Sequence, residues 1–403
     1  MPLTHPLSNK ELREFGIISK LLRQEINGTM AGDLLGMSVR QVRRLKKKVY
    51  QYGAAGLVHG SRGKKGNHGI ADRERQIIVA LLHKHYYDFG PTFASEKLRE
   101  CHGIDHDPKT IRRIMITEHL WQPRRAKKEV HRSWRLRRAH RGELIQYDGS
   151  YEYWFEERAN KCCLLLSVDD ATGDIMRAEF TEHEGVFPTF IFWLNYLKKY
   201  GKPVSIYVDK FSTYKMTQEL ARDNHDLKTQ FQRACETLHI ELIFAHSPQA
   251  KGRVENKFHT LQDRLIKELR LAGISDKASA NIFLNAIFIP KYNVQFGFSP
   301  RSNNDLHCPV TPPEEKQLVR IFSRHTERTV QNDFTISFNT TWYQLIKEQP
   351  VTVCKRDVIT IEEHVDGTVH FSLRGKYLNA IPINKRPRKT NPRQWVIPGK
   401  RPG

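Results

Sequence analysis

Residues 143–154, ELIQYDGSYEYW, and residues 161–173, KCCLLLSVDDATG, open the segment of the chain that decides its fold. Polar side chains recur at every second position of the first stretch, as in a strand with one buried face. The second stretch is continuously apolar, as expected at the centre of a sheet. Strand-like and helix-like runs then alternate, so the sequence predicts an α/β core over 142–300. The alternation puts Asp148 on the same strand face as Gln146.

Carboxylates stand in or beside several of these predicted elements. Asp148 lies in the first strand, Asp209 ends the strand PVSIYVDKF, and Glu255 lies near the start of the helix-like run KGRVENKFHTLQDRLIKELRLAG. Hard divalent cations prefer carboxylate oxygens, and two such ions about 3.5–4 Å apart can activate an attacking oxygen and stabilise a leaving one. The alternative is three ordinary surface residues. Asp169 and Asp170 compete with Asp148, but the ATGD that follows them favours turn and capping roles.

Composition indicates a polyanionic partner. The chain has 403 residues and 47.1 kDa, which predicts two to four domains. It carries 66 Lys and Arg against 44 Asp and Glu, a formal net charge of +22, which favours nucleic acid over other partners. No long apolar run or lipid-facing amphipathic segment indicates a membrane role. The amino terminus lacks a signal-peptide core, and the cysteines form no CxxC pair, so we expect a cytosolic protein without a disulfide framework.

Residues 1–67 predict a helix-turn-helix domain. Two helices precede a turn at Gly36, after which a capped helix, SVRQVRRLKKKVYQYG, carries a basic outer face. Such a face fits the major groove of DNA, where Arg and Gln reach base edges and Lys reaches phosphate; the alternative is a solvated basic helix. The candidate DNA-contacting residues are Ser38, Arg40, Gln41, Arg43, Arg44, Lys47 and Lys48. The inner face of the first helix is predicted to comprise Leu12, Phe15, Ile18, Leu21 and Leu22.

Residues 71–121 predict a second helical, possibly winged, DNA-binding domain. Its last helix begins at Pro108 and exposes three further candidate DNA contacts, Lys109, Arg112 and Arg113. Cys101, His102 and His106 lack a matching second pair of ligands, which argues against a zinc site. The strongly basic residues 122–141 are predicted to be a linker that follows a phosphate backbone, or else a merely solvated charge run.

The carboxyl-terminal part changes character. A proline-containing linker over 301–320 is predicted to lead into a small β-barrel over 321–384, in which Asp366 and Gly367 form a turn. The barrel serves DNA binding or a structural, protein-contacting role; the sequence favours neither. Residues 385–403 predict a basic disordered tail.

Four stretches carry a resemblance to a known family: QYDGS at 146–150, VDDATGD at 168–174, YVDKFSTY at 207–214 and HSPQAKGRVENKFHTLQDRLIKEL at 246–269. On these residues the sequence resembles the integrase catalytic core family, the ribonuclease-H-like DDE transposases and retroviral integrases, and most of all the transposases of bacterial insertion sequences. The spacing of 46 residues from the second carboxylate to the third exceeds the usual spacing, which indicates an insertion around 215–230. The paired His and Cys of the retroviral amino-terminal zinc domain are absent from the sequence.

Together with this resemblance, the sequence predicts a multidomain protein: helix-turn-helix units, a ribonuclease-H-like α/β core and a small β-barrel. The resemblance implies polynucleotide transfer with two Mg²⁺ or Mn²⁺ ions, in which Asp148 binds both ions, Asp209 one and Glu255 the other. Lys251 would lie near substrate phosphate. Partners would be the terminal repeats, target DNA and further copies of the chain, a dimer or more, at the bacterial nucleoid in the cytoplasm. A DNA-binding regulator derived from a transposase and a ribonuclease-H-like nuclease remain the alternatives.

Overall fold

The computed structural model describes residues 7–59, 62, 69–123, 136–209, 218–245 and 252–384, with the backbone alone at 209, 218–225, 227–228, 245 and 252. The described chain forms two compact units. The N-terminal unit comprises the residues up to Tyr87 together with Leu98–Leu120, and the sheet unit comprises Asp88–Lys97 together with the residues from Trp121 onward. Within these ranges, no helix has the length and apolarity needed to cross a bilayer.

The first three helices of the N-terminal unit share an apolar core. They are α1 (Asn9–Leu22), α2 (Gly28–Leu35) and α3 (Val39–Tyr52). Ile18, Val42 and Val49 are buried in this core. Leu12, however, is 52% exposed, so its predicted place on the inner face is wrong. It lies in the first turn of α1, where the apolar repeat of a helix can run past the edge of the surface that the helix buries.

Three further helices follow, α4 (Asp72–His85), α5 (Pro91–His102) and α6 (Pro108–Thr117). Asp107 caps α6 by accepting a hydrogen bond of 2.7 Å from the backbone amide of Lys109. Residues 69–123 contain no strand, so these residues do not form a wing. The first part of α5 belongs to the sheet unit and its end to the N-terminal unit.

The predicted α/β core with a central sheet is confirmed. Its strands are β1 (Leu144–Glu152), β2 (Cys162–Asp169), β3 (Ile175–Thr181), β4 (Ser205–Asp209) and β5 (Glu241–Ala245). They form one sheet in the order β3-β2-β1-β4-β5. The hairpins make β1 to β3 antiparallel, whereas β4 and β5 run parallel to β1 because helices connect them.

Each face of the sheet is covered by helices. On one face, α7 (Val186–Tyr200) and α8 (Gln218–Thr237) pack against side chains such as Ile145 and Tyr147. The sequence predicts a helix over 227–239, whereas α8 begins earlier, at Gln218. On the other face, α9 (Gly252–Leu271), α10 (Lys277–Phe283) and α11 (Ile289–Phe296) pack against side chains such as Leu164 and Leu166.

The spacing of the apolar residues in the run 251–273 predicts one buried stripe along α9, and the structure confirms it. All its members are at least nine-tenths buried: Val254, Phe258, Leu261, Leu265 and Leu269. Their spacing of three and four residues keeps them on one side of the helix, and that side faces the sheet. Burial of five large apolar side chains fixes α9 on the sheet, at about 1.5–3 kcal/mol for each side chain.

The segment predicted as a linker over 301–320 is partly a helix, which corrects that prediction. Residues Pro312–Ile321 form α12. Its prolines occupy the first helical turn, where their missing amide costs nothing. The backbone amide and hydroxyl of Thr311 donate to the Glu314 carboxylate, each at 2.9 Å, which completes a capping box. Leu318 of α12 is buried in the same core as α7 and α8.

The carboxyl-terminal strands form two small antiparallel sheets around one apolar core. The strands are β6 (Arg324–Thr329), β7 (Thr335–Phe338), β8 (Thr341–Leu345), β9 (Val358–Glu363), β10 (Val369–Leu373), β11 (Lys376–Tyr377) and β12 (Ala380–Ile383). One sheet has the order β11-β10-β9-β6 and the other β12-β8-β7.

A buried carboxylate ties α12 to these strands. Glu362 of β9 is 1% exposed and accepts hydrogen bonds from Ser372 at 2.7 Å, from Arg320 at 2.8 Å and from Tyr377 at 3.0 Å. Burial by itself would raise the pKa of Glu362, but these hydrogen bonds outweigh it and hold the pKa below its ordinary value.

Candidate functional site

Asp148 and Asp209 occupy the same level of two neighbouring parallel strands. Gln146 of β1 pairs with Tyr207 of β4, and each carboxylate residue lies two residues further along its own strand. Asp148 is half-buried and pairs across β1 and β2 with Leu166. Directly paired residues share a sheet face, so Asp148 faces the side on which α9 packs. For Asp209, the last residue of β4, the structure describes the backbone alone.

The first turn of α9 lies over that same face. Val254, which is fully buried, points toward the sheet. Glu255 follows it directly and is exposed. Successive helix residues are about 100° apart, so Glu255 lies on a flank of α9 next to the sheet-facing side. The helix thus brings a carboxylate of its first turn to the face that carries Asp148.

The donor set suits a hard divalent cation. Asp148 and Glu255 offer only carboxylate oxygens, the ligands that Mg²⁺ and Mn²⁺ prefer, and the exposed first turn of α9 leaves room for water and phosphate. Among the side chains that the structure describes, no group of three His, Cys, Asp or Glu could hold a metal ion. The side chain of Asp209, the third predicted ligand, is not among them, so the complete ligand set stays a prediction.

The glycine after Asp148 makes room for a carboxylate on the opposite face of the sheet, since Gly149 pairs with Leu165 of the core on the α7 side. A Cβ atom at Gly149 would lie 2.6 Å from Oε2 of Glu184 and 3.1 Å from Sγ of Cys163. The backbone amide of Glu184 donates a hydrogen bond of 2.7 Å to the hydroxyl of Tyr151, which anchors this residue beside β1. Sequence reasoning did not single out Glu184, and no motif marks it.

Asp169 serves the turn after β2. Its carboxylate accepts hydrogen bonds from the amide and hydroxyl of Thr172, at 2.8 and 2.9 Å, and from the amide of Gly142 at 2.9 Å. The side chain is fully buried, and burial raises its pKa although these hydrogen bonds act in the opposite direction. A carboxylate engaged in this way is a capping group, as the sequence predicted.

Asp170 does something different from its neighbour. Its Oδ1 atom accepts from the Gln146 side-chain amide at 2.7 Å and from the guanidinium of Arg253, and Oδ2 accepts from the backbone amide of Arg138 at 2.8 Å. Gln146 precedes Asp148 by two residues in β1, and Arg253 precedes Glu255 by two residues in α9. Sequence reasoning missed this network, because only the fold brings the three segments together.

A cavity of about 460 Å³ adjoins this network on the α9 side of the sheet. Its lining combines cations with aromatic rings, and the guanidinium of Arg137 lies 4.5 Å from the ring centre of Phe298. The ammonium of Lys257 lies 4.9 Å from the ring centre of Tyr292. Burial and the neighbouring Arg137 lower the pKa of Lys257 to about 8. The cavity therefore adds positive charge close to the carboxylate-bearing face.

The predicted basic face of α3 is exposed. Solvent reaches Arg40, Arg43, Arg44, Lys47 and Lys48. Two other candidates, Ser38 and Gln41, form a capping box in which the Gln41 side-chain oxygen accepts from the amide and hydroxyl of Ser38, both at 3.1 Å. Gly36 ends α2 in the left-handed conformation, with φ of 61°.

The candidates on α6 are exposed as well, namely Lys109, Arg112 and Arg113. The side chains considered for zinc have other partners: His102 Nε2 lies 2.9 Å from the Tyr86 hydroxyl, and His106 Nε2 lies 3.0 Å from the Glu74 carboxylate. Lys251, most of the basic linker (124–135) and the tail (385–403) lie outside the described residues.

Comparison with known proteins identifies relatives over most of the chain. A protein of Sinorhizobium fredii that bears the name putative transposase y4bF is 36% identical over 385 residues, which cover 96% of this chain and 83% of the relative. The transposase for insertion sequence IS1202 of Streptococcus pneumoniae is 28% identical over 402 residues, covering 91% of this chain and 85% of the relative. No family model matches the chain.

Similarity to solved structures is weaker. The catalytic core domain of HTLV-2 integrase, in complex with magnesium, is 21% identical with a TM-score of 0.27, and the match covers 37% of this chain and 91% of that chain. An intasome chain of simian T-cell lymphotropic virus is 16% identical with a TM-score of 0.32, covering 75% and 99%. TM-scores of this size do not establish a common fold.

Proposed function

This chain belongs to the transposase family of its Sinorhizobium relative, and we propose that it binds the terminal repeats of an insertion sequence and joins them to target DNA by metal-dependent strand cleavage and strand transfer. One observation carries the proposal. Two aspartates stand level on parallel strands β1 and β4, and the first turn of α9, with Glu255, lies over the face that carries Asp148. A net charge of +22 supports a DNA substrate.

Asp148, Asp209 and Glu255 are the proposed ligands of two Mg²⁺ or Mn²⁺ ions, with Asp148 shared between them. Bound ions of this kind activate the attacking oxygen and stabilise the leaving one. Strands β1 and β4 carry the backbone of the two aspartates, and the stripe of apolar side chains fixes α9, which carries Glu255, on the sheet. A water molecule would attack first, at the element end, and the freed 3′-hydroxyl would then attack a phosphodiester of the target.

The N-terminal unit is proposed to recognise the element ends. In this proposal α2 and α3 form a helix-turn-helix, and α3 enters the major groove with Arg40, Gln41, Arg43, Arg44, Lys47 and Lys48. Ser38 and Gln41 contribute mainly by capping the helix, although the amide nitrogen of Gln41 remains a donor. Lys109, Arg112 and Arg113 of α6 are proposed as a second DNA surface, and Lys251 as a phosphate contact beside the carboxylates.

The remaining assignments follow from the reaction. Two element ends must be held together, so we propose a dimer or a larger assembly on DNA, acting at the bacterial nucleoid.

The domain limits proposed from the sequence are 1–67, 71–121, 122–141, 142–300, 321–384 and 385–403. For the two carboxyl-terminal sheets we propose a closed, barrel-like arrangement that contacts DNA or a second protomer.

A joining assay tests the proposal against its alternatives. The protein is mixed with Mg²⁺ or Mn²⁺, a labelled duplex carrying the element's end and a plasmid target. Labelled plasmid is the expected product. Cut ends without joined product would favour a nuclease, and end-specific binding without cutting would favour a regulator. Binding is measured at several salt concentrations, because non-specific affinity falls steeply with salt.

A further inference from the structure

We propose that Asp170 is a positioning residue, which holds the Glu255 turn of α9 in place over Asp148 by binding both elements through one carboxylate. The inference rests on the proposed function, since it concerns the same site. It assigns a role to a residue that lies after β2, outside the three predicted metal ligands.

The Asp170 carboxylate touches both elements that carry described candidate ligands. Its Oδ1 atom binds Gln146 of β1 and Arg253 of α9, while Oδ2 binds the amide of Arg138. Two residues of a strand span about 6.6 Å, so the contact to β1 lies that close to Asp148 on the same face. One carboxyl group therefore links the strand of Asp148 to the helix of Glu255.

The first turn of α9 depends on contacts from outside the helix. Arg253 and Glu255 are about 200° apart around α9, so they lie on opposite flanks of Val254, which faces the sheet. Asp170 holds one flank through Arg253, and the other flank presents Glu255. Val254 holds the turn against the sheet through its apolar side chain, and the ion pair between Arg253 and Asp170 restrains one flank of the same turn.

Capping of the β2–β3 turn does not account for Asp170, because Asp169 already caps it through Thr172 and Gly142. The Asp170 side chain is 0% exposed, and that of Arg253 is 20% exposed. A buried ion pair seldom adds net stability compared with apolar side chains of the same size, so stability alone does not account for this one. Precise placement of α9 accounts for the buried ion pair, because a shift of about 1 Å at a reacting centre costs about 10²-fold in rate.

The test compares Asp170→Asn with a matched ion-pair variant on the same helix. Glu96→Gln breaks the pair between Glu96 and Arg264, whose side chains are 19% and 13% exposed and whose two contacts measure 2.5 and 3.0 Å. Arg264 lies in the half of α9 remote from Glu255. Each variant is measured for thermal unfolding, end-specific DNA binding, binding of Mn²⁺ alone by electron paramagnetic resonance, and single-turnover strand transfer.

Asp170→Asn is expected to weaken Mn²⁺ binding by about 10–100-fold, as loss of groups that orient metal ligands does, and to slow strand transfer by at least about tenfold. Its DNA affinity should equal that of the wild type. Glu96→Gln should lower thermal stability while leaving Mn²⁺ binding and the rate unchanged. The proposal would be overturned if a folded Asp170→Asn variant bound Mn²⁺ and transferred strands as the wild type does. It would also be overturned if Glu96→Gln weakened Mn²⁺ binding and slowed strand transfer as much as Asp170→Asn.

Asp170→Asn leaves the Arg253 guanidinium without its buried partner, which is strongly destabilising and can prevent folding. The paired variant Asp170→Asn with Arg253→Gln removes that charge. We expect it to regain thermal stability without regaining Mn²⁺ binding; recovery of both would show that the pair only supports the fold and would overturn the proposal. If the wild type joins no strands, the proposed function fails, whereas the Mn²⁺ comparison still decides the role of Asp170.

Discussion

Arg43 and Arg44 of α3 offer the most informative perturbation of DNA recognition. Both side chains are exposed, and neither forms a hydrogen bond or ion pair with any residue in the described part of the chain. Replacing both by alanine should therefore change the free energy of unfolding by no more than about 0.5 kcal/mol. Any effect on DNA binding can then be assigned to the removal of two guanidinium groups from the basic face of α3.

The expected magnitude depends on whether each arginine binds a base or a phosphate. An arginine that reads a base contributes about 1–3 kcal/mol, and one that neutralises a phosphate contributes about 0.9 to the slope of log K against log salt. The double variant should bind the terminal repeat at least about tenfold more weakly, since 1.4 kcal/mol is tenfold. Fluorescence anisotropy with a terminal-repeat duplex and a scrambled duplex, over a range of salt concentrations, measures both quantities.

The matched control removes the same charge from the same bundle. Lys10 and Arg23, at the two ends of α1, have side chains 81% and 74% exposed. Lys10→Ala with Arg23→Ala should leave the preference for the terminal repeat intact. Wild-type affinity and salt slope in the Arg43 and Arg44 variant would refute the assignment of α3 as the recognition helix. If the control variant binds the terminal repeat equally weakly, the loss of affinity is caused by the change in net charge alone.

Three further predictions concern stability. Phe93→Ala should destabilise the sheet unit by about 3–5 kcal/mol, because Phe93 is 3% exposed and stacks on Phe89 at 4.9 Å. Calorimetry checks this against Val294→Ala in the same unit, which should change little because Val294 is 91% exposed. The pKa of Glu362 is lowered in the fold, so its ionised carboxylate stabilises the fold above its unfolded pKa of about 4.3. Urea titrations should therefore show that the free energy of unfolding of the wild type exceeds that of Glu362→Gln at neutral pH. This excess should shrink as the pH falls through the lowered pKa of the folded state. Gly201→Ala should destabilise the fold in the same titrations, since φ is +89° and the new Cβ would lie 2.5 Å from a backbone oxygen; unchanged stability would contradict that.

The sequence predicted those parts of the fold in which one periodic pattern dominates. Alternation in β1 identified the face of Asp148, and the spacing of Val254, Phe258 and Leu261 identified the buried side of α9. The same reasoning failed where local signals mislead. The prolines at 312 and 313 were interpreted as linker residues although they begin a helix.

Of the candidate site, the sequence predicts only the metal ligands and not the contacts that link them. The motifs identified Asp148, Asp209 and Glu255, and the transposase family that they indicated is confirmed by the relatives; the roles of the three residues remain predictions. The link through Asp170 could not be predicted, because its partners Gln146 and Arg253 are 24 residues before it and 83 residues after it. Hydrogen bonds over such separations depend on the packed fold, and no local pattern specifies them.

Strand transfer by carboxylate variants tests directly whether Asp148, Asp209 and Glu255 hold the catalytic ions. Asp148→Asn, Asp209→Asn and Glu255→Gln are compared with Asp263→Asn, an exposed residue about two turns further along α9. Joining of a labelled terminal repeat to plasmid is measured with Mg²⁺ or Mn²⁺, beside binding of the same duplex. If the three carboxylates hold the ions, each of the three variants should bind the repeat but join none of it, while Asp263→Asn joins it at the wild-type rate. Joined product from any of the three would contradict the assigned ligand set.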